Sequence, residues 1–268
     1  MTSNHPFTKE RVNRYIEAET LSPNARMREF ESILDHLDQH FQGKGTILEL
    51  GSGAGLLTRQ MLDRGYQVET LDAAFEENEG VSKHLKCDLS QGIPEDWNGN
   101  NYVAVVSLAA MHHIIEQPAR LPEKLAADIY SRLTSGGLLI IQDVPASPSI
   151  ERRQQSVSSK AAGGTARFFE EVVDCYSQPQ HNAVYAQLDQ IAQNLEQDFS
   201  WRLLHNDFHH CPWEFPGSQD VTEFVRTLFN LSLDRDALAR HIGSMIYTEG
   251  GNAFFNWALD LLVMEKFE

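Results

Sequence analysis

Apolar residues at Met27, Phe30, Leu34, Leu37 and Phe41 recur at steps of three and four and predict one buried face of an α-helix. Ser22 and Pro23 in front of it fit a cap followed by proline at the first helical position, and Gly43 and Gly45 close it. The period then changes. Thr46-Ile47-Leu48-Glu49-Leu50 is a short apolar run ending in glycines and predicts a buried strand, followed by a helix over Leu56 to Arg64. Gln67 to Leu71 alternates like a strand, and Tyr102 to Ser107 predicts another buried strand. Pro118 to Leu133 predicts a helix, and Leu138 to Gln142 a further buried strand after Ser135-Gly136-Gly137. Strands alternating with helices imply crossover units and a parallel sheet covered on both faces.

After Pro148 the pattern loosens. Ile150 to Gln197 is rich in Gln, Ser, Ala and Glu and predicts two or more helices, with Gly163-Gly164 as a break. Trp201 to Leu204 predicts a strand, His209 to Pro216 an irregular aromatic loop, and Val221 to Leu231 an amphipathic helix. Phe254 to Phe267 contains a final strand. The expectation is a lid and a sheet edge added to an α/β core.

Charge narrows the function. The 268 residues carry 22 Lys and Arg against 38 Asp and Glu, a formal net charge of −16. That balance disfavours non-specific nucleic-acid binding, which needs a basic face, and docking on an anionic membrane surface. Tyr102 to Met111, the longest nearly apolar stretch, is half the length of a membrane span. His5, Lys9, Glu10 and Arg11 leave no apolar region for a signal peptide. Cys87, Cys175 and Cys211 are too few and too scattered for a disulfide framework or a CxxC metal site, so the expected compartment is the cytoplasm.

The most specific chemistry lies at a strand-to-helix turn, Glu49-Leu50-Gly51-Ser52-Gly53-Ala54-Gly55. Glycines there allow a tight turn and the close approach of a ligand. A dinucleotide fingerprint would place a further glycine where Leu56 stands, and a phosphate-binding loop would need a lysine that is missing. An acid followed by GxGxG suits a nucleoside bearing an amino-acid tail, the acid meeting an ammonium group. Asp72 ends the second strand, at about the spacing from Gly51 that places an acid on ribose hydroxyls. Asp88 follows a third short strand and could read an adenine amine or cap a helix.

Taken together, these segments resemble the class I S-adenosylmethionine-dependent methyltransferases, small-molecule type. Ile47 to Thr58 resembles the first motif, Leu71-Asp72-Ala73-Ala74-Phe75 the second, Cys87 to Pro94 the third, Tyr102 to Ile114 the fourth, and Leu133 to Val144 the strand motif that follows. The resemblance implies a Rossmann-like fold: a mostly parallel seven-stranded sheet with helices on both faces, N-terminal helices and a helical lid. It implies one domain over 1–268, with N-terminal helices in 1–44, a cofactor core in 45–147, and a lid, substrate region and sheet edge in 148–268. It also implies roles. Glu49, Gly51, Ser52 and Gly53 would border the methionine part of S-adenosylmethionine, and Asp72 the ribose, with Ala73 beside the adenine. Asp88 would accept from the adenine amine and the Leu89 backbone would reach the ring. Ser107 would lie near the ammonium. Tyr15 would close over the cofactor, or simply pack its helix.

Methyl transfer from a sulfonium needs an acceptor held close, aligned and dry, with a base where the acceptor carries a proton. Candidate bases are His112 and His113, just after the fourth strand, and His210, beside His209 in the presumed lid. Paired histidines also pack locally, so both readings stand. The His209-His210-Cys211 cluster lacks a matching second cluster, so no metal is expected. Phe168, Phe169, Tyr176, Trp213 and Phe215 would line an apolar acceptor pocket or form core. The expected activity is methyl transfer to a small organic metabolite, giving S-adenosylhomocysteine, with no nucleic-acid or membrane partner and a homodimer admitted. Three alternatives remain. One is a cofactor-binding protein without transfer. Another is an enzyme of this fold that uses the cofactor's charge to assist a rearrangement or elimination. The third is a nucleic-acid or protein methyltransferase, weakened because Ser107-Leu108-Ala109-Ala110 replaces the Asn- or Asp-Pro-Pro-aromatic motif of amino-methylating members.

Overall fold

The computed structural model describes residues 9–74, 80–154 and 158–267. His5 and Phe75 lie outside them. Helices α1 (Lys9–Leu21) and α2 (Met27–Phe41) come first. The expected cap at Ser22 does not start α2. The chain turns there, with Asn24 in the left-handed region at φ 68°, and the helix begins at Met27. The stripe is as expected: Phe30, Leu34 and Leu37 are buried.

Five strands follow the crossover pattern: β1 (Thr46–Leu50), β2 (Gln67–Asp72), β3 (Lys83–Lys86), β4 (Tyr102–Leu108) and β5 (Leu133–Asp143). Between them run α3 (Leu56–Asp63), α4 (Met111–Ile114) and α5 (Glu123–Arg132). Helix α5 starts later than expected because Gln117 and Arg120 form a β-bridge and Pro122 precedes the first turn. Beyond β5 come α6 (Ser147–Arg152) and α7 (Ser159–Phe168), which continues through a π-helical turn at Phe169–Val173 into α8 (Asp174–Tyr176). Then come α9 (Leu188–Asp198), β6 (Trp201–His210), β7 (Trp213–Phe215), α10 (Ser218–Leu228) and α11 (Arg235–Ile242). Strands β8 (Ile246–Glu249), β9 (Asn252–Phe255) and β10 (Ala258–Lys266) close the chain.

Among the described residues the main sheet has seven strands in the order β3-β2-β1-β4-β5-β10-β6. The first five are parallel, and β10 runs antiparallel between β5 and β6. Alternation in the strands sends neighbours to opposite layers. Leu48, Leu50, Val105 and Leu139 pack under α5 and α9 on one face. Ile47, Val68, Val106 and Ile140 pack under α2 and α3 on the other. The strand order reverses between β1 and β4, which opens a crevice at their carboxyl ends.

Three expectations for the second half need correction. Gly163-Gly164 does not break a helix but lies inside α7. The His209–Pro216 loop is instead the end of β6 plus β7, and β7 joins β9 and β8 in a separate three-stranded antiparallel sheet. Helix α9 belongs to the core, since Leu188, Ile191, Ala192 and Leu195 are buried in the same cluster as the central strands. Among the described residues no helix is long and apolar enough to cross a membrane.

Candidate active site

The turn after β1 is built from left-handed backbone: Gly51, Gly53 and Gly55 have φ of 74°, 51° and 70°. A Cβ at Gly51 would lie 2.4 Å from the Cβ of Ala110, so glycine is required where the turns after β1 and β4 meet. A Cβ at Gly53 would meet nothing within 4 Å. That open space belongs to a cavity of about 890 Å³, part of it open to solvent, at the crevice between β1 and β4.

Glu49, Gly51, Ser52, Gly53, Asp72, Ala73, Leu89 and Tyr15 all line this cavity, as does His113. The Asp72 carboxylate ties the turn together. Its Oδ2 accepts from the Gly53 N–H at 2.8 Å and its Oδ1 from the Ala74 N–H at 2.7 Å. A carboxylate at the end of this strand is the group that accepts from a vicinal diol. Glu49 is buried, and its Oε2 accepts from the Thr58 hydroxyl at 2.5 Å. Burial pushes its carboxyl up to about 8, opposed by the Thr58 hydrogen bond and reinforced by the Asp72 charge. A ligand ammonium would supply the missing counter-charge. The Ser52 hydroxyl is buried at the cavity wall without a hydrogen-bond partner. Open space at Gly53, an orphaned hydroxyl and an under-compensated acid match the amino-acid tail of S-adenosylmethionine; Asp72 matches its ribose.

Two of the expected residues stand back from this cavity. Asp88 caps the short turn Leu89–Gln91, its Oδ1 accepting from the Ser90 N–H at 3.0 Å and the Ser90 hydroxyl at 2.8 Å. Ser107 is fully buried in β4, one residue before the lining residue Leu108.

A second, much smaller cavity, about 440 Å³ when the solvent-open space is included, adjoins the first and shares Tyr15, Arg26, Ala109 and His113 with it. Phe169 and Trp213 line it, as the aromatic pattern predicted, whereas Phe168 and Phe215 are core and Tyr176 packs outside. The π-helical turn aims Phe169 inward. His112 and His113 lie here, on α4 directly beyond β4. His112 is held from behind. Its Nδ1 lies 2.5 Å from Asp143 Oδ1, and its backbone N–H donates to Asp143 Oδ2 at 3.1 Å. The candidate base His210 does not lie in a lid over the site. His210 is exposed near the end of β6, its Nε2 2.8 Å from Asn256 Oδ1, and His209 Nε2 lies 3.1 Å from the Arg28 carbonyl. Neither lines the two cavities, because β6 continues as a strand at the sheet edge.

Several site residues escape sequence reasoning. Arg26, buried, donates to Glu29 Oε2 from Nε at 2.9 Å and Nη2 at 2.6 Å, while Trp213 Nε1 donates to Glu29 Oε1 at 2.6 Å. Its Nη1 is buried without a partner at the wall of both cavities. His181 joins the second cavity from the loop between α8 and α9. Its only sequence signal is an aspartate seven residues earlier, Asp174, whose Oδ1 lies 2.7 Å from its Nδ1.

The parallel sheet, the crevice at its switch point and the glycine turn with Glu49 and Asp72 define a class I S-adenosylmethionine-dependent methyltransferase, and S-adenosylmethionine is its cofactor. The chain belongs to the methyltransferase domain family, whose profile matches residues 24–217. It is similar in fold to the YcgJ protein of Bacillus subtilis, at 13% identity and a TM-score of 0.54 over 90% of this chain and 98% of that one. A methyltransferase-assigned protein of Bacillus halodurans, at 15% identity, gives 0.52 over 88% of this chain and 99% of that one. A chain of the complex between the Haloferax volcanii Trm112 methyltransferase activator and its methyltransferase-assigned partner, at 12% identity, gives 0.54 over 96% and 98%. No curated protein sequence matches.

Proposed function

We propose that the protein transfers the methyl group of S-adenosylmethionine to a small organic metabolite seated in the second cavity, releasing S-adenosylhomocysteine. The observation that carries this reading is the shared wall: Tyr15, Arg26, Ala109 and His113 line both cavities. A donor in the first and an acceptor in the second would meet across it. The second cavity is small and walled by Phe169, Trp213 and Trp257, which suits a compact apolar body rather than a polymer chain. The unpartnered Arg26 Nη1 would donate to an oxygen of the acceptor. His113 would be the histidine nearest the transferred methyl, with His112 behind it. In the cofactor cavity, Glu49 and Ser52 would hold the amino-acid tail beside Gly51 and Gly53, and Asp72 the ribose. Ala73 and the Leu89 backbone would flank the adenine, with Tyr15 closing over the ligand. Asp88 and Ser107 would act from one layer behind.

The rest of the reading is a single unit over 1–268 acting in the cytoplasm, supported by free thiols at Cys87, Cys175 and Cys211. A homodimer through the outer edge of β6 is supported by exposed Leu203 and Leu204. Incubating the protein with labelled S-adenosylmethionine and a pool of small metabolites should release S-adenosylhomocysteine and one labelled small product. Tight cofactor binding with label transferred only to protein or nucleic acid would reject the small-molecule reading.

A further inference from the structure

The second cavity contains more than a methyl acceptor site requires. His112, His113 and His181 each offer a ring nitrogen there, and these atoms all lie within 4.8 Å of one another. Ring centroids are 4.0 Å apart for His112 and His113, 5.0 Å for His113 and His181, and 5.4 Å for His112 and His181. Two rings are oriented by carboxylates. Asp143 also accepts the backbone N–H groups of His112 and Val144, so its oxygens act as acceptors and the His112 Nδ1–H is the donor. Asp174 accepts from the Tyr185 hydroxyl at 2.7 and 2.8 Å, and the His181 Nδ1–H donates to it at 2.7 Å. In its neutral form each of these two rings would keep its hydrogen on Nδ1, leaving Nε2 as the nitrogen able to bind a metal. A carboxylate holding the far nitrogen is the arrangement that orients histidines bound to metal and raises their basicity. The strap carrying His181 is fixed as well, since the Val184 N–H donates to the His112 carbonyl at 2.9 Å.

Charge points the same way. Asp143 is fully buried, and among the described residues no Lys or Arg forms an ion pair with it or with Asp174. Two carboxylates behind three imidazoles favour positive charge at the cluster, which protonated imidazoles or a cation between the rings would supply.

We propose that His112, His113 and His181 form a divalent transition-metal site, zinc being the ion that three neutral imidazoles fit best, with an open fourth position facing the second cavity. Nitrogens around tetrahedral zinc lie roughly 3.3 Å apart, so binding draws the rings together by up to about 1.5 Å. The open position takes the hydroxyl or thiol of the methyl acceptor. On binding, that group releases its proton to solvent, and the resulting anion is held at the wall shared with the donor cavity. Its electron pair then forms the bond to the methyl carbon as the carbon–sulfur bond breaks. That second pair returns to sulfur, leaving neutral S-adenosylhomocysteine and the methylated product. This rests on the second cavity being the acceptor site.

The test is metal binding itself. Protein stripped with a chelator and shown folded by circular dichroism is titrated with cobalt(II). One equivalent should bind and give the intense visible absorption of a tetrahedral cobalt site, and one equivalent of zinc should abolish it. His113→Gln and His181→Gln should each weaken binding about 100-fold, and Asp174→Asn about 10-fold. Affinity for S-adenosylhomocysteine should stay within about threefold in His181→Gln and Asp174→Asn, whose side chains lie outside the cofactor cavity. Adding 2-mercaptoethanol should shift the cobalt band. No cobalt band, or one unchanged in both histidine variants, overturns the site, and a band indifferent to the thiol overturns the open position. Cobalt binding as stated, without turnover of any small acceptor, leaves the site standing and removes the small-molecule reading. Turnover without cobalt binding does the reverse.

Discussion

The backbone N–H of Gly53 donates to Asp72 Oδ2 at 2.8 Å, so the acid expected to meet ribose also holds the glycine turn in shape. Asp72→Ala should therefore weaken S-adenosylmethionine twice, by removing acceptors for the diol and by releasing the turn. The expected loss is about 2–4 kcal/mol. Asp72→Asn keeps one acceptor oxygen for a backbone N–H and should lose less. Calorimetry checks both, and an Asp72→Ala affinity equal to wild type would remove this role.

Two of the three glycines of that turn, Gly51 and Gly53, should fail differently. Gly51→Ala places a methyl 2.4 Å from the Ala110 Cβ at a φ of 74°, so backbone strain adds to overpacking. It should destabilise the fold by roughly 2–4 kcal/mol. Gly53→Ala at φ 51° meets nothing within 4 Å and should cost only about 1 kcal/mol of stability, mostly strain. Its methyl enters space the ligand needs, so cofactor affinity should fall more than stability does. Denaturant melts and calorimetry on both variants separate the two effects.

The cofactor half of the chain was legible because its signals are local. Buried strands β1, β4 and β5 are continuous apolar runs, and a glycine turn between strand and helix is read directly from sequence. The acceptor half depends on contacts distant in sequence. His181 reaches His112 only because the loop before α9 pairs with the His112 carbonyl. Strand β6 was cut short because His205-Asn206-Asp207 breaks the apolar alternation, yet its pairing with β10 carries it on to His210. Gly163 and Gly164 have ordinary helical surroundings and no steric conflict, so packing of α7 overrode their weak propensity. Arg26 gave no signal, because a lone arginine before a helix usually lies in solvent.

Glu49 should make stability pH-dependent. Its folded-state pKa, about 8, lies above the ordinary carboxyl value of 4.5 because the group is buried. Between those values the folded state holds a proton that the unfolded state has lost, so stability falls as pH rises. The contribution is full below pH 4.5 and gone above pH 8. Glu49→Gln removes that titration and should flatten the slope, raising Tm at pH 9 relative to wild type by about 2–4 °C per kcal/mol recovered. The same variant should bind S-adenosylmethionine at least tenfold more weakly, since the ammonium loses its counter-charge. Melting curves from pH 5 to pH 9 check the first effect. A Gln variant with the wild-type slope would assign the dependence to other groups.

Substrate-linked ordering should be confined to part of the segment expected from sequence to act as a lid. Helix α9 is locked into the main core by Leu188, Ile191 and Leu195, so its amides should be protected in every state. The stretch from α7 through the π-helical turn and α8 to Tyr185 is different. It contributes Phe169 and His181 to the acceptor cavity, and a π-helical turn is a strained element of the kind that concentrates at functional sites. Closing it over a bound acceptor would expel water from the reacting groups. Hydrogen exchange should therefore slow in residues 159–185 when S-adenosylhomocysteine and acceptor are both bound, with little change over Leu188–Asp198. Cofactor product alone should slow the turn after β1 more than this stretch. Equal slowing in α9 and in 159–185 would mean that the whole segment moves as one lid, and no slowing in either would mean that the cavity is preformed.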